Sequence, residues 1–223
     1  MQQLGADRRF VEEQYSNADK LGIRIETHER YSQGDTERLL DEAVEALALA
    51  PGLRVLDVGC GAGGWHARMA ASGATIMGVD LMAGMLQEAR SAAAALRPRP
   101  VFTQADAQAL PFDAARVDRV LCAGVLYHVP DCERALREIR RVLLADGRAV
   151  ISTNGAYTMR RIYELHADAA RGLGYEPLPI APGQFTMDDL PLVRDVFPYV
   201  ERRLLVRRIS VRRDRTGTAV LRV

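Results

Sequence analysis

The spacing of apolar and polar positions changes along the chain from a helical period to short apolar runs. Between Thr36 and Leu47 the apolar residues recur at helical spacing, and Pro51-Gly52 ends that helix. From Arg54 to Thr153, five short apolar runs alternate with longer amphipathic stretches. Because parallel strands need a crossover between neighbours, this alternation predicts a doubly wound, Rossmann-like α/β fold with a mostly parallel sheet.

The same pattern sets the expected bounds of each element. The predicted strands are Arg54–Val58, Thr75–Val79, Val101–Gln104, Val117–Cys122 and Ala149–Thr153. The predicted helices between them are Trp65–Ser72, Met82–Leu96 and Asp131–Leu144. A turn at Asp146-Gly147 is expected to separate the last helix from the last strand.

Two polar segments, one before the predicted strands and one after them, contain spaced aromatic residues. This pattern predicts that they form a lid over the α/β domain. Residues 1–34 are expected to form N-terminal cap helices, and residues 35–223 an α/β domain with an insertion at 155–187. Aromatic side chains with a few polar neighbours suit a ligand pocket, although each could instead only join helices to the domain. The candidate substrate residues of the lid are Tyr15, Arg24, His28, Tyr31, Tyr157, Tyr163 and His166.

Charge and cysteine content argue against several classes of protein. The net charge of +1 provides no global field for nucleic acid or an anionic membrane, and the N-terminus lacks the apolar stretch of a secretory signal. No apolar run approaches the roughly 18 residues of a membrane span. The three cysteines form no C-x-x-C pair, and the histidine spacing suits no metal cluster. We therefore expect a cytoplasmic protein without a metal, and the oligomeric state stays open.

The strongest chemical signal is the glycine-rich turn after the first strand, Val55-Leu-Asp-Val-Gly-Cys-Gly-Ala-Gly-Gly64. Glycines permit a tight turn and let a ligand approach the backbone closely. Gly59, Gly61 and Gly64 satisfy G-x-G-x-x-G, and Asp80 lies about 20 residues further on, where a ribose-binding carboxylate belongs. These residues also fit a nicotinamide- or flavin-dependent enzyme, so the motif alone does not identify the ligand.

Two other carboxylates help to identify the ligand of the glycine-rich turn. Asp57 stands two residues before the first glycine, where it would repel a pyrophosphate but suits an ammonium group. Asp106 follows the third strand and can offer a carboxylate and a backbone amide to an adenine edge. A helical segment also precedes the first strand, whereas many dinucleotide-binding domains begin close to that strand.

Five segments in series resemble the class I S-adenosylmethionine-dependent methyltransferases, in particular their small-molecule branch. They are Asp57–Gly63, the strand end at Asp80, Ala105–Phe112, Asp118–Asp131 and Leu143–Val150. The resemblance implies transfer of a methyl group from S-adenosylmethionine to an O, N or C atom of a small molecule, such as a secondary metabolite, with S-adenosylhomocysteine as product. The alternatives are a nicotinamide-dependent oxidoreductase on a similar sheet and a non-catalytic protein that keeps the cofactor fold.

The resemblance also implies roles for residues around the first two strands. Asp57 would lie near the methionine amine, and Asp80 would accept hydrogen bonds from the ribose hydroxyls. Leu81 and Met82 would flank the adenine. The backbone that passes the methionine part and the ribose would be that of Gly59, Cys60, Gly61 and Gly63.

Further implied roles belong to strands three and four. Asp106 and Ala107 would meet the exocyclic amine and ring nitrogen of the adenine, and Ala123 would line the floor beneath the sulfonium. His128 lies just past strand four and titrates near neutrality, which makes it the candidate general base for an acceptor that must lose a proton. The alternative is a histidine that only holds the loop. His66, at the start of a crossover helix, is expected to be structural.

The end of the chain is unusually rich in arginine, with eight arginines between Arg202 and Val223. One interpretation of residues 206–223 is a native hairpin whose strands, Ile209–Arg212 and Thr218–Leu221, close the sheet as strands six and seven. The other is a frameshifted tail, since GC-rich DNA read out of frame tends to encode arginine. A frameshifted tail predicts an incomplete sheet and poor stability.

Overall fold

The computed structural model describes residues 11–12, 15, 22–23, 26, 32–33, 36–156, 158, 160–177, 185–204, 208–209, 212–213 and 219–220. At its centre is a five-stranded sheet in which every neighbouring pair is parallel. The strands, β1 to β5 in chain order, are Arg54–Val58, Thr75–Asp80, Val101–Gln104, Val117–Ala123 and Leu143–Ser152. Their order across the sheet is β3-β2-β1-β4-β5, which confirms the predicted doubly wound fold.

In the described part of the chain, a helix precedes the strands of the sheet, helices connect all consecutive strands except β3 and β4, and two more follow β5. The helices, α1 to α6, are Thr36–Leu47, His66–Ala70, Ala83–Ala92, Cys132–Val142, Arg160–Gly172 and Leu190–Val196, with short 3₁₀ helices at Leu126–His128 and Met187–Asp189. Asp131 caps α4 by accepting a hydrogen bond from the amide of Arg134 at 2.9 Å. Residues 11–12, 15, 22–23 and 26 are also helical. No helix among the described residues is long and apolar enough to cross a membrane.

Helices cover both faces of the sheet, so the central strands are buried on both sides. In β1, Leu56 packs in one apolar cluster with Leu136 and Ile139 of α4. The adjacent Val55 points to the other face and packs in a second cluster with Met69 of α2. All five side chains are fully buried, and each contributes about 1.5–3 kcal/mol of hydrophobic stabilisation. The rigid sheet thereby fixes the positions of the loops that follow its strands.

The predicted junction between α4 and β5 was wrong. Helix α4 ends at Val142, and β5 begins at Leu143 rather than at Ala149. The chain enters the sheet early because Val117 pairs with Leu143, after which the register shifts. Gly147 lies inside β5 instead of ending a turn, and a side chain there would press against Leu143. Residues 144–147 lie between the two paired stretches, so the predicted turn residues belong to an irregular, bulged part of the strand.

The predicted hairpin at the end of the chain is present in part, but its strands do not join the five-stranded sheet. Arg212–Arg213 pairs antiparallel with Ala219–Val220, but Arg208–Ile209 pairs with Ser32–Gln33. Each of these pairs forms a separate two-stranded sheet. Among the described residues, the five-stranded sheet therefore has no sixth or seventh strand.

Candidate cofactor site

The glycine-rich loop turns back over the carboxyl ends of β1 and β2. Gly59, Gly61 and Gly63 have positive φ angles of 69°, 53° and 85°, which glycine adopts without strain. The amides of Gly59 and Cys60 donate to the carbonyl of Val79 at 2.7 and 2.9 Å. The loop lies where β1 neighbours both β2 and β4, at the point where the strand order reverses. In sheets of this kind, that crevice holds the ligand.

Asp80, the last residue of β2, joins the loop through its carboxylate. One oxygen, Oδ2, accepts a hydrogen bond from the amide of Gly61 at 2.8 Å, and Oδ1 accepts one from the amide of Met82 at 2.9 Å. Burial raises the pKa of Asp80 above its usual value, against the lowering effect of the two amides, and the charge of Asp57 raises it further. Each oxygen keeps acceptor capacity, so the carboxylate suits the two hydroxyls of a ribose.

Asp57 lies beneath the loop and is only 1% exposed. Its Oδ2 accepts a hydrogen bond from Nε2 of His66, the first residue of α2, at 3.0 Å. Sequence reasoning missed this contact because a separation of nine residues across a turn leaves no periodic signal. The His66–Asp57 pair places a buried polar group directly under the predicted cofactor loop.

The loop after β3 holds Asp106 through its own residues. Gln108 donates its backbone amide and its side-chain amide to Oδ1 of Asp106 at 2.8 and 3.0 Å, and the side-chain amide also lies 3.1 Å from Oδ2. The side-chain oxygen of Gln108 accepts the amide of Asp131 at 3.1 Å. Gln108, which sequence reasoning missed, therefore links the predicted adenine loop to the start of α4.

The remaining predicted cofactor residues follow these strands. Leu81, Ala107 and Ala123 are half-buried, and Ala123 is the last residue of β4. Cys60 is 5% exposed, and burial is the main cause that raises the pKa of its thiol. The Cys60 side chain is therefore a neutral core residue, and only its backbone belongs to the loop.

His128 ends the 3₁₀ helix that follows β4, and it contacts the N-terminal part of the chain. The hydroxyl of Tyr15 and Nε2 of His128 are 2.8 Å apart and share a hydrogen bond. The rings of Tyr15 and Tyr127 meet the imidazole edge to face, with centroids 5.0 and 4.4 Å away. The structure thus brings together two predicted site residues that are 113 positions apart.

Two further predicted lid residues, Tyr163 and His166, are described by the structure and lie on a different element. Tyr163 and His166 lie on α5, and His166 lines an open pocket of about 360 Å³. The other residues that line it are Ala169, Ala170, Leu173, Tyr175 and Glu176. Since α5 and the residues after it supply all six, this pocket is separate from the cofactor loops. Arg24, His28, Tyr31 and Tyr157 lie outside the described residues.

Comparisons with known proteins agree with the geometry of the loops. Residues 56–151 match the family model described as a methyltransferase domain. This part of the chain, residues 56–151, is therefore assigned to a methyltransferase domain. This assignment favours the methyltransferase interpretation over the nicotinamide alternative. Among the described residues, no group of three or more histidine, cysteine, aspartate or glutamate side chains is placed to hold a metal ion.

Two curated relatives illustrate the likeness. Methyltransferase GfsG of Streptomyces halstedii is 36% identical over 121 residues, which cover 52% of this chain and 43% of the relative. Demethylmenaquinone methyltransferase of Clavibacter sepedonicus is 36% identical over 146 residues, covering 64% and 59%. The chain therefore spans about half the length of the curated relatives it matches.

Solved structures share the fold at low identity. The YcgJ protein of Bacillus subtilis is 22% identical, with a TM-score of 0.55 over 71% of this chain and 67% of that one. The MccD protein is 19% identical, with a TM-score of 0.56 over 71% and 69%. These likenesses support the architecture of the sheet and its helices.

Proposed function

We propose that this protein binds S-adenosylmethionine and transfers its methyl group to an O, N or C nucleophile of a small molecule. The observation that carries the proposal is the pair of acidic residues at the glycine loop. Asp80 is bonded to the amide of Gly61, and Asp57 is buried beneath the same turn. One carboxylate suits a ribose and the other an ammonium group, which together match the two ends of this cofactor.

The residues that would hold the cofactor follow from these positions. Asp80 would accept the ribose hydroxyls, Asp57 would face the methionine amine, and Asp106 would meet the adenine. When bound, the cofactor supplies a methyl group already activated by the sulfonium charge. The remaining task of the protein is to align the acceptor and exclude water, which can lower a barrier by roughly 7–11 kcal/mol in favourable cases.

His128 is the proposed general base for acceptors that must lose a proton. Its position after β4 places it at the ligand edge of the sheet, and its Nε2 atom already shares a hydrogen bond with Tyr15. That bond would orient the imidazole and leave a phenol hydroxyl beside it. Of the three lid candidates that the structure describes, Tyr15 is the one whose position next to His128 supports an acceptor contact.

Named relatives support a small-molecule acceptor. They include the demethylmenaquinone methyltransferase of Clavibacter sepedonicus and the 27-O-demethylrifamycin SV methyltransferase of Amycolatopsis mediterranei. The acceptors in those names differ in chemistry, so the proposal extends to the class of acceptor and not to one compound.

Calorimetry with S-adenosylhomocysteine tests the proposed cofactor, with NADH as the control ligand. We expect micromolar binding of S-adenosylhomocysteine alone, weakened at least tenfold, or about 1.4 kcal/mol, by Asp80→Ala. Binding of NADH in its place would overturn the proposal.

A further inference from the structure

His66 is a polar residue in a position that packing alone would fill with an apolar one. It is 1% exposed, and its ring lies 5.3 Å from that of Phe102. The side chains of His66 and Asp57 are 1% and 2% exposed, so both have given up hydration. Replacing such a buried pair with apolar residues is often neutral or stabilising. Stability therefore does not explain this pair.

The other ring nitrogen of His66, Nδ1, also indicates that this residue has a role beyond packing. Within the described part of the chain, Nδ1 is buried and has no hydrogen-bond partner. Nδ1 of His66 lies close to the backbone of the glycine loop at Gly63. A Cβ atom added to Gly63 would come within 2.7 Å of this nitrogen. One ring therefore contacts the loop with one nitrogen and holds Asp57 with the other. An unsatisfied buried polar atom is costly, and it calls for a reason other than packing.

The charges around the pair indicate which ligand group it serves. Asp80 accepts the amide of Gly61 in the glycine loop, and Asp57 lies beneath the same loop. The negative charges of both carboxylates raise the pKa of the Cys60 thiol between them in the chain, and Asp57 also raises the pKa of Asp80. A group that enters next to Asp57 is therefore favoured when it is cationic.

We propose that His66 is a positioning residue that orients Asp57 towards the ammonium group of the cofactor's methionine part. The inference rests on the proposed function. The Nε2–H of His66 restricts the Asp57 side chain to one orientation, so that the ligand does not have to order it on binding. The ring also supports the loop at Gly63 from below.

The test compares two ligands by calorimetry. S-adenosylhomocysteine carries the amino-acid part, whereas 5′-methylthioadenosine lacks it and keeps the ribose and adenine. We expect His66→Phe to weaken S-adenosylhomocysteine binding about tenfold and to change methylthioadenosine binding less than twofold. His66→Gln, which restores an N–H donor, should recover part of the loss. Met69→Leu, a buried change on the same helix, should alter neither affinity.

Asp57→Asn completes the design. If His66 acts through Asp57, the double variant with His66→Phe should bind S-adenosylhomocysteine no more weakly than Asp57→Asn alone. Equal losses for both ligands, or additive losses in the double variant, would overturn the inference while leaving the cofactor class intact. If His66→Phe does not fold, His66→Asn replaces it in the test, because the asparagine side chain is too short to reach Asp57. A folded His66→Asn variant that keeps the full wild-type affinity would overturn the inference. Wild-type protein that binds neither ligand overturns the proposed function and this inference together.

Discussion

Asp80 combines a partly buried carboxylate with two backbone amide donors, and its protonation decides whether it can accept ribose hydroxyls. Burial raises its pKa above 3.8, with Asp57 adding to the rise. The folded protein therefore holds a proton on Asp80 at a higher pH than the unfolded chain does. Binding that needs the ionised carboxylate is complete above the raised pKa and is lost as the pH falls through it.

We therefore expect the affinity for S-adenosylhomocysteine to decrease as the pH falls through the raised pKa of Asp80, at a higher pH than an ordinary aspartate would give. Calorimetry or fluorescence titration over that range measures the change. Asp80→Asn should bind more weakly and show a flatter pH dependence. A wild-type affinity that stays constant until the protein unfolds would contradict this role of Asp80.

Acid unfolding should come later than this loss of affinity. Arg54 lowers the pKa of Asp118, and Arg141 lowers that of Glu138, in each case chiefly through a side-chain hydrogen bond. A lowered pKa gives stability that is present above the unfolded value and lost only as the pH falls through the folded one. Circular dichroism over the same pH range checks that the fold persists while binding weakens.

The three cysteines lead to a second prediction for single residues. Cys60, Cys122 and Cys132 are free and buried, and burial raises the pKa of each thiol, to about 11 for Cys132. Because the thiolate is the reactive form, a thiol reagent should label them slowly at neutral pH and rapidly in denaturant. Fast labelling of the native protein would show that these side chains are accessible.

At the scale of elements, α4 holds the predicted adenine loop in place. Arg141 donates to the carbonyls of Phe112 and Leu110 at 2.7 and 3.0 Å, and Glu138 accepts the amide of Leu110 at 2.8 Å. The same two side chains form an ion pair with each other. A helix packed on the core thereby fixes backbone that follows Asp106, without itself touching the predicted ligand position.

Arg141→Ala should destabilise the protein by about 1–2 kcal/mol, since it removes two hydrogen bonds to backbone carbonyls and the ion pair with Glu138, all from a side chain that is one-third exposed. It should also weaken cofactor binding through the loop. Chemical denaturation measures the first effect and calorimetry the second. Arg137→Ala on the same helix is the control, because its exposed pair with Glu133 should be worth less than about 0.5 kcal/mol.

For the whole molecule, ligand binding and stability are linked. A ligand at 100 times its dissociation constant stabilises the folded state by about 2.7 kcal/mol. For a chain of this size, that corresponds to a rise in Tm of roughly 5–11 °C. A thermal-shift assay should therefore show such a rise with S-adenosylhomocysteine and none with NADH, and equal shifts for both would contradict the proposed cofactor.

The two interpretations of residues 206–223 also differ at this scale. The described residues leave one edge of β5 without a neighbour in the sheet, as a frameshifted tail predicts, whereas Arg212–Arg213 pairs with Ala219–Val220, as the hairpin interpretation predicts. The frameshift interpretation can be tested directly. A chain that follows the next reading frame from this point should then have a higher Tm than the present one. An uninterrupted frame shared by independent isolates would instead establish the tail as native.

The sequence by itself determined the elements whose signals are local. The bounds of β1 and β3 were predicted to the residue, because short apolar runs ended by turn residues define buried strands. The turns at Gly59, Gly61 and Gly63 were also predictable, because positive φ angles require glycine. The position of Asp80 at the end of β2, next to the glycine loop, was predictable from its separation of about 20 residues from that loop.

Tertiary structure decided the contacts between residues that are distant along the chain. It formed the hydrogen bonds between Tyr15 and His128 and between His66 and Asp57, and it set the start of β5 at Leu143. Hydrophobic periodicity states which face of an element is buried, but not which partner meets it or in which register. Those choices depend on how helices and strands pack, and the polar contacts of the candidate site follow from them.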